Sequence, residues 1–494
     1  MKPLPARFAA ALAASLLLVG GVSGCSTKDS RAAEAAALAD TALQQGDFAA
    51  ARRNIDTAIR NRDDVSDYWL TSARIALATQ NFGNAFNAFE NVYQLDKGNL
   101  EALRQLCQLG LTVRLPDKVD RYADQLLVIN PNDSLPLTMK GGAALQRGDW
   151  KKAMAFADRV LAISPTDVGA LILKGQALAY KGDNAASAKL IEESLATMGD
   201  PTSRLVFLRD LYLSNGNRDG YQRTLARLAN ANPSDTRMQL DYADWLYQTQ
   251  RPDSAFDFVM PLLRQHPTDI ALASQILEMW LDEGRDALST KQILLGGQED
   301  SLEIRATFAQ FANETGQPDL ALRVLGTAVP KGAPDAGNSN AKAAMAFAIG
   351  LNGAVQDALG RLEDILDVDA TQPRALLARA RFRAATKNYR GALSDARQLV
   401  TDDIGNITAR LALTDILLEQ NQPDLAESNL REALGVVPYS TRAAARLAKM
   451  LIERNGQREA ASTVLRDMAR AARISPRADA VVASFHLSDD PLSR

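Results

Sequence analysis

The sequence contains few of the residues on which metal sites, disulfide frameworks and nucleophilic catalysis depend. Among its 494 residues are two cysteines and two histidines. His266 and His486 are far apart in sequence, and neither has a cysteine close by. The short motifs of zinc proteases, serine hydrolases and P-loop proteins do not occur. The sequence therefore predicts a protein that is not an enzyme and needs no metal or cofactor.

Long hydrophobic runs and clusters of basic residues are also missing. The apolar stretch from Phe8 to Val19 is shorter than the roughly 20 residues that a membrane-spanning helix needs. The formal net charge is −3. A mildly acidic chain without a basic run gives no electrostatic basis for binding nucleic acid. We therefore expect neither a nucleic acid nor a small-molecule substrate as a partner.

A turn that recurs at a fixed interval is what the sequence does contain. The segments QQGDFAAA, QRGDWKKA and YKGDNAAS place Gly46, Gly148 and Gly182 at separations of 102 and 34 residues, which are three periods and one period. Such a period is typical of stacked helix–turn–helix repeats. About thirteen repeats fit this frame, beginning at residues 32, 66, 100, 134, 168, 202, 236 and 270 and then, after a slip, at about 302, 339, 373, 407 and 441.

Small residues and proline recur at fixed positions within the repeat. Position eight is small in ten of thirteen repeats, and position twenty is Ala or Ser in eleven. Small residues at both places let the two antiparallel helices of a repeat cross closely. Proline stands at position seventeen in QPDLA at 317–321 and again at 422–426. It suits the first turn of the second helix, because its missing N–H would have no intrahelical partner there.

A 34-residue repeat with these features resembles the tetratricopeptide repeat (TPR). The resemblance covers residues 32–472 and implies an all-α, right-handed superhelical solenoid that binds proteins. One departure is Arg379, which falls at an expected core position and indicates a one-residue shift of that helix.

The irregular stretches of the sequence indicate how the repeats are divided. We predict an N-terminal array at 32–301, a C-terminal array at 302–472, and a capping helix with a tail at 473–494. The segment 329–341 is rich in Gly, Pro, Asn and Ser. It is either a hinge between two sub-arrays or a long loop between repeats.

The N-terminus resembles the signal peptide of bacterial lipoproteins. Lys2 and Arg7 precede the apolar run, and the sequence VSGC that follows it resembles a lipobox ending at Cys25. The resemblance implies cleavage of residues 1–24 and acylation of the Cys25 thiol and of its new amino group, palmitate being an expected acyl chain. The alternative is an ordinary signal peptide with a chance cysteine.

A lipidated Cys25 has consequences for charge, cysteine pairing and location. Loss of the two basic residues of the signal takes the formal net charge from −3 to −5. Cys107 would have no disulfide partner and is expected to be buried. Residues 25–31 would form a lipidated tether, and several acyl chains on one residue anchor a protein stably. By resemblance, Ser26 points to the outer membrane, with the protein facing the periplasm.

In the TPR family, positions 2, 5, 9, 12 and 13 of each repeat line a concave groove. The residues at these positions here would suit a partner segment that is apolar and slightly basic. The alternative is that packing covers some of them and that the acidic ones only keep the surface soluble. The candidate partner-binding residues are Leu70, Arg74, Arg104, Asp210, Asp244, Tyr247 and Glu278.

Two functions are compatible with these features. The first is a lipid-anchored scaffold that holds protein components of a secretion or export machine in the cell envelope. In organisation the chain is similar to TPR lipoproteins associated with exopolysaccharide export. The alternative is a periplasmic chaperone that binds unfolded or peptide clients, which a broadly apolar groove would favour.

Overall fold

The structure, a computed structural model, describes residues 28–199 and 202–487. These residues form α-helices joined by short connections, with one 3-10 turn and no strand in the described segments. The predicted all-α repeat fold is confirmed. The chain forms two compact units, unit 1 over residues 1–199 and unit 2 over residues 200–494.

Unit 1 contains five repeats, each a pair of packed helices. The second helix of each repeat also packs against the first helix of the next repeat, so that each repeat buries its apolar face on its neighbours. The helices are α1 (Lys28–Gln44), α2 (Phe48–Asn61), α3 (Ser66–Ala78), α4 (Phe82–Leu95), α5 (Leu100–Thr112), α6 (Pro116–Ile129), α7 (Ser134–Gln146), α8 (Trp150–Ile163), α9 (Val168–Tyr180) and α10 (Asn184–Met198).

Unit 2 contains eight repeats and a final helix. The third of these repeats is α15 with the short helix α16, and a 3-10 turn, Gly284–Ala287, lies between the two helices. The helices are α11 (Thr202–Ser214), α12 (Arg218–Ala231), α13 (Thr236–Gln248), α14 (Pro252–Gln265), α15 (Ile270–Glu283), α16 (Thr290–Gly296), α17 (Leu302–Glu314), α18 (Pro318–Leu325), α19 (Ser339–Leu351), α20 (Val355–Val368), α21 (Pro373–Ala385), α22 (Tyr389–Asp402), α23 (Ile407–Glu419), α24 (Pro423–Val436), α25 (Thr441–Asn455), α26 (Arg458–Ala472) and α27 (Pro476–Leu487).

The first helices begin where the 34-residue frame predicts, except that the first repeat begins at residue 28 instead of 32. Each of the Gly-Asp turns at Gly46, Gly148 and Gly182 ends one helix and starts the next. Gly46 has a φ of 77°, a conformation that glycine adopts without strain. The following Asp47 caps α2, its carboxylate accepting from the Ala50 N–H at 2.8 Å. Pro318 and Pro423 are the first residues of α18 and α24, as predicted.

The small residues at the crossing positions are in the core. Ala51, Ala85 and Ala153 at position twenty are all fully buried, as is Cys107 at position eight. Burial raises the pKa of the Cys107 thiol to about 12. The thiol therefore stays protonated at neutral pH and fills space, as the sequence predicted.

The predicted shift near Arg379 is wrong. Helix α21 starts at Pro373, and Ala380 is fully buried at position eight of the repeat. Arg379 donates from Nε and Nη2 to the two carboxylate oxygens of Asp395, each at 2.9 Å. Arg383 donates to the same carboxylate at 2.9 Å. An ion pair between the two helices of the repeat, and not a change of register, accommodates the arginine.

The chain is not divided at residues 301 and 302, where the sequence placed a boundary between arrays. Trp280 of α15 packs against Phe308 and Phe311 of α17, with ring centroids 4.9 Å and 5.9 Å apart. Residues on both sides of the predicted boundary thus share one apolar cluster. The division into compact units falls instead between residues 199 and 200.

The segment 329–341 lies between repeats that pack directly on each other. Asn313 of α17 donates from its side chain to the Ala344 carbonyl of α19 at 2.8 Å. Helices α17, α18 and α19 also contribute to one apolar cluster. The connection is therefore an inter-repeat loop over residues 326–338, residues 339–341 begin α19, and the direct packing of the two repeats favours the loop over the hinge.

The predicted signal peptide and Cys25 lie outside the described residues, and so does the end of the predicted C-terminal tail. No helix within residues 28–199 and 202–487 has the length and apolar character needed to cross a membrane.

Candidate functional site

The predicted groove residues of unit 1 lie on the first helices of neighbouring repeats. Leu70 is half-buried against the apolar cluster of the second and third repeats. Arg74 is 3.5 Å from the Glu101 carboxylate, and Arg104 is 3.1 Å from the Asp133 carboxylate. Each ion pair joins one repeat to the next. The two arginines are half-exposed, and a role for them in partner binding stays a prediction.

The predicted acidic groove residues of unit 2, Asp210, Asp244 and Glu278, do not form an open row of free carboxylates. Asp210 is exposed and pairs with its neighbour Arg209 at 2.8 Å. Asp244 and Glu278, in contrast, form ion pairs with arginines from the final helix and the last repeat of the same unit. The first helices of early and late repeats face one another here, and we call the surface that they share the inner surface of unit 2.

Arg442, near the start of α25, is bound by three side chains of the inner surface. Its Nε donates to Asp282 at 2.7 Å, and its Nη1 donates to the Thr408 hydroxyl at 3.0 Å. Its Nη2 pairs with Glu278. The Thr408 hydroxyl in turn donates to Glu278 at 2.7 Å. One guanidinium group thus joins α15 to α23 and α25, although Arg442 and Glu278 are 164 residues apart in sequence.

Arg477, in the first turn of α27, makes a second contact of the same kind. Its Nη2 donates to Asp244 at 2.8 Å and also pairs with Glu283. Its Nη1 is 3.8 Å from Asp282. Four carboxylates of α13 and α15 therefore bind two arginines. We call these four the acidic strip: Asp244, Glu278, Asp282 and Glu283.

Burial shapes the electrostatics of these groups. Burial alone lowers the pKa of Arg442 and Arg477, but the surrounding carboxylates outweigh it and leave both pKa values raised. Burial raises the pKa of Glu283, and Arg477 opposes that shift. The two guanidinium groups therefore stay charged and are matched by carboxylates in a partly desolvated surface.

Tyr247 does not belong to an accessible groove. Its side chain is 2% exposed, and its hydroxyl accepts a hydrogen bond from Trp280 Nε1–H at 2.8 Å. Burial raises its pKa well above the ordinary range for tyrosine. The prediction that Tyr247 contacts a partner is wrong, because position twelve of this repeat points into the packed core between α13 and α15.

A cavity of about 530 Å³ lies behind the Arg442 contact. Such a volume is within the range of ordinary ligand sites. The cavity wall is apolar on one part and charged on another. Its apolar lining includes Leu277, Leu281, Leu377 and Ile407, and its polar lining includes Glu278, Asp282, Gln310, Glu314, Arg374 and Arg442.

Two ion pairs join α17 to α21 beside the cavity. Arg374 is 2.9 Å from Glu303, and both side chains are almost fully buried. Burial lowers the pKa of Arg374, and the neighbouring Glu303 carboxylate opposes this. Arg381 pairs with Glu314 at 2.8 Å. On this side of the cavity the arginines are thus already matched by carboxylates of α17.

Sequence reasoning missed Arg442, Arg477 and Thr408. A signal existed for two of them, because Thr408 and Arg442 stand at position two of their repeats, which the family uses for its groove. The predicted groove residues all lie in early and middle repeats. Arg477 lies outside the repeat frame, and nothing in the sequence indicated where it would be.

The arrangement can recognise cations by charge and by hydrogen bonds. Among residues 28–199 and 202–487, no group of three or more His, Cys, Asp or Glu side chains is placed to hold a metal ion. A planar guanidinium group with several donors fits paired carboxylates well. The inner surface is therefore suited to arginine side chains and to segments that carry them.

Comparison with known proteins gives a local family match. Residues 36–99 match the family described as tetratricopeptide repeat. No curated protein matches the sequence. TPR repeats typically serve as protein-interaction scaffolds. The first repeats of the chain are thus of the TPR type, and the later ones share their helical arrangement.

Solved structures resemble the chain at low sequence identity. A tetratricopeptide repeat protein from Parabacteroides merdae is 13% identical, with coverage of 50% of this chain and 97% of that one and a TM-score of 0.36. The pilF protein of Pseudomonas aeruginosa is 14% identical, with 44% and 96% coverage and a TM-score of 0.30. The Naa15/Naa10 complex bound to HypK-THB is 12% identical, with 93% and 73% coverage and a TM-score of 0.33. At these values the likeness concerns helical repeats and indicates no function.

Proposed function

We propose that the chain is a non-catalytic, lipid-anchored TPR scaffold of the bacterial cell envelope that binds protein partners on the inner surface of unit 2. The observation that carries the proposal is the combination of a cavity with the acidic strip beside it. Apolar and acidic side chains in one concavity suit a protein segment that is apolar and basic.

The location is inferred from the N-terminal sequence. VSGC after a signal-like apolar run supports attachment through Cys25, and Ser26 supports the outer membrane with the repeats facing the periplasm. Helix α1 begins at Lys28, three residues after Cys25, so that the first repeat would lie close to the membrane surface. The number of repeats, thirteen in the described residues, favours a scaffold for exopolysaccharide export or a related secretion machine.

Anchoring is tested by replacing Cys25 with alanine. We expect this change to abolish lipid attachment, because the thiol is the acceptor of the diacyl group. Metabolic labelling with a radioactive fatty acid, followed by separation of membrane and soluble fractions, measures the effect. The Cys107→Ala variant is the matched control and should label like the wild type. Unchanged labelling of the Cys25→Ala protein would show that the anchor has been assigned to the wrong residue.

Partner binding is tested by placing a positive charge at the mouth of the cavity. Gln275 is exposed and lines the cavity, so that Gln275→Lys should repel a basic segment while changing stability by no more than about 0.5 kcal/mol. We expect crosslinked pull-downs from the native envelope to lose a discrete set of partners with this variant. Lysines at Asp244 and Glu278 would be poor tests, because they would face Arg477 and Arg442.

The control for this experiment is Asp257→Lys, on the exposed face of α14 and outside the cavity lining. It changes the net charge in the same direction, and the partners should be retained. Equal recovery of partners with both variants would contradict binding at this cavity. Recovery of many unrelated unfolded proteins, in place of a discrete set, would favour the chaperone.

A further inference from the structure

We propose that Arg442 and Arg477 form an internal latch that occupies the acidic strip in place of a partner, and that a partner must supply arginine side chains to displace them. This inference rests on the proposed binding role of the inner surface. It adds a regulatory state in which arginines of unit 2 occupy the partner's binding site. It also names the chemical class of the partner segment, which is rich in arginine with apolar neighbours.

The two sides that the latch joins belong to different parts of the core. Helices α13 and α15 contribute to an apolar cluster that spans residues 243–348. Helices α25 and α27 contribute to a separate cluster that spans residues 380–485. The contacts described above between the two sides are ion pairs and hydrogen bonds. Because salt weakens such contacts and the two sides belong to separate apolar clusters, this closure can open without loss of either core.

The acidic strip carries more charge than the latch neutralises. Four carboxylates face two guanidinium groups. Arg218 and Asp479 form another ion pair, which holds α27 beside α12. The strip itself keeps an excess of negative charge even when the latch is closed. A cationic segment is therefore attracted to the closed form, as its first step towards replacing the arginines.

The geometry of the latch favours arginine over lysine. Arg442 uses Nε, Nη1 and Nη2 on three different side chains, and Arg477 uses its guanidinium group on at least two. A lysine ammonium group is a point charge and cannot span these acceptors in the same plane. Leu277, Leu281 and Ile407 in the cavity wall would contact apolar residues next to the incoming arginine.

The latch is tested in the full chain with the double variant Arg442→Gln/Arg477→Gln. The probe is a fluorescein-labelled peptide of sequence Leu-Arg-Ala-Leu-Arg, with Leu-Lys-Ala-Leu-Lys as its lysine counterpart, and binding is measured by fluorescence polarisation. We expect the double variant to bind the arginine peptide about tenfold more tightly than the wild type, because a site that is closed most of the time has a reduced apparent affinity. The lysine peptide should gain less.

The matched control is Arg361→Gln/Arg431→Gln, which removes two half-exposed arginines of unit 2 that pair only within their own helices. It has the same net charge as the latch variant and should bind like the wild type. Adding Glu278→Gln and Asp282→Asn to the latch variant should remove the gain. Circular dichroism shows whether each variant folds. If the latch variant does not fold, Arg442→Lys/Arg477→Lys replaces it. This variant keeps the charge and should show a smaller gain in peptide affinity.

Equal affinity of the wild type and the latch variant for the arginine peptide would overturn the latch. The latch would also be overturned if Arg361→Gln/Arg431→Gln showed the same gain in peptide affinity, or if the gain remained after Glu278→Gln and Asp282→Asn were added. The envelope pull-down with Gln275→Lys separates this outcome from failure of the proposed function. If Gln275→Lys loses envelope partners but the latch variant binds the peptide no more tightly than the wild type, the scaffold proposal holds and the latch proposal fails. If the latch variant binds the peptide more tightly but no envelope partners are recovered, the latch proposal holds and the scaffold proposal fails.

Discussion

Replacing Asp395 by asparagine is expected to lower the free energy of unfolding of unit 2 by about 3–5 kcal/mol. The Asp395 side chain is 4% exposed and accepts hydrogen bonds from both Arg379 and Arg383. Without the carboxylate, the largely buried Arg379 guanidinium group would lose its counter-charge, and Arg383 would be left with the Glu363 carboxylate 3.6 Å away. Urea unfolding of the full chain, followed by circular dichroism at 222 nm, measures the loss.

Asp357→Asn is the control for the Asp395 variant. Asp357 pairs with Arg361 one turn along α20, and both side chains are about half-exposed. Loss of such a surface pair should change the free energy of unfolding by less than about 1 kcal/mol. Equal effects of the two changes would mean that Arg379 does not depend on Asp395 and that its position in the core needs another explanation.

Replacing Trp280 by alanine should cost about 3–5 kcal/mol of the free energy of unfolding. Trp280 is fully buried, contacts Phe308 and Phe311, and donates to the Tyr247 hydroxyl. The change would leave a cavity between α15 and α17 and a buried hydroxyl without its donor. Because these helices lie on opposite sides of residue 301, the destabilisation should extend to the repeats on both sides.

Hydrogen exchange of backbone amides in the Trp280→Ala protein shows how far the effect extends. We expect faster exchange in α13 and in α19 as well as in the two helices that contact Trp280. Leu425→Ala on the exposed face of α24 should leave the free energy of unfolding within about 0.5 kcal/mol of the wild type. Faster exchange confined to residues before 301 would support two separate arrays with a boundary there.

The repeat frame could be predicted from sequence because each repeat depends on its own residues and its neighbours. Pro318 begins its helix, Asp47 caps its helix, and Ala51 is buried, all as local pattern and helix crossing require. The period, restarted after its slip near residue 302 and again at 339, placed twelve of the thirteen first helices at the residue where they begin. These features need no knowledge of the path that the chain takes over many repeats.

The contacts of the inner surface could not be predicted in this way. Whether Arg442 meets Glu278 depends on the small rotation between successive repeats, added up over five of them. The register shift predicted at Arg379 is wrong for a related reason. Its partner Asp395 lies on the other helix of the repeat, and hydrophobic periodicity does not indicate ion pairs. Tyr247 was misread because a family-wide rule for groove positions does not show which side chains neighbouring helices cover.

The most direct test of the account is a double-mutant cycle between Arg442 and Asp282, whose Nε and Oδ1 atoms are 2.7 Å apart. Urea unfolding of Arg442→Gln, Asp282→Asn and the double variant gives the coupling free energy of the pair. If unit 2 closes through the acidic strip, we expect a favourable coupling of about 1 kcal/mol that falls at high salt. The cycle between Arg442 and the distant Asp257 should be additive within about 0.3–0.5 kcal/mol. A coupling for Arg442 and Asp282 that is no larger than this control would contradict the closure of the inner surface, and with it both the latch and the site.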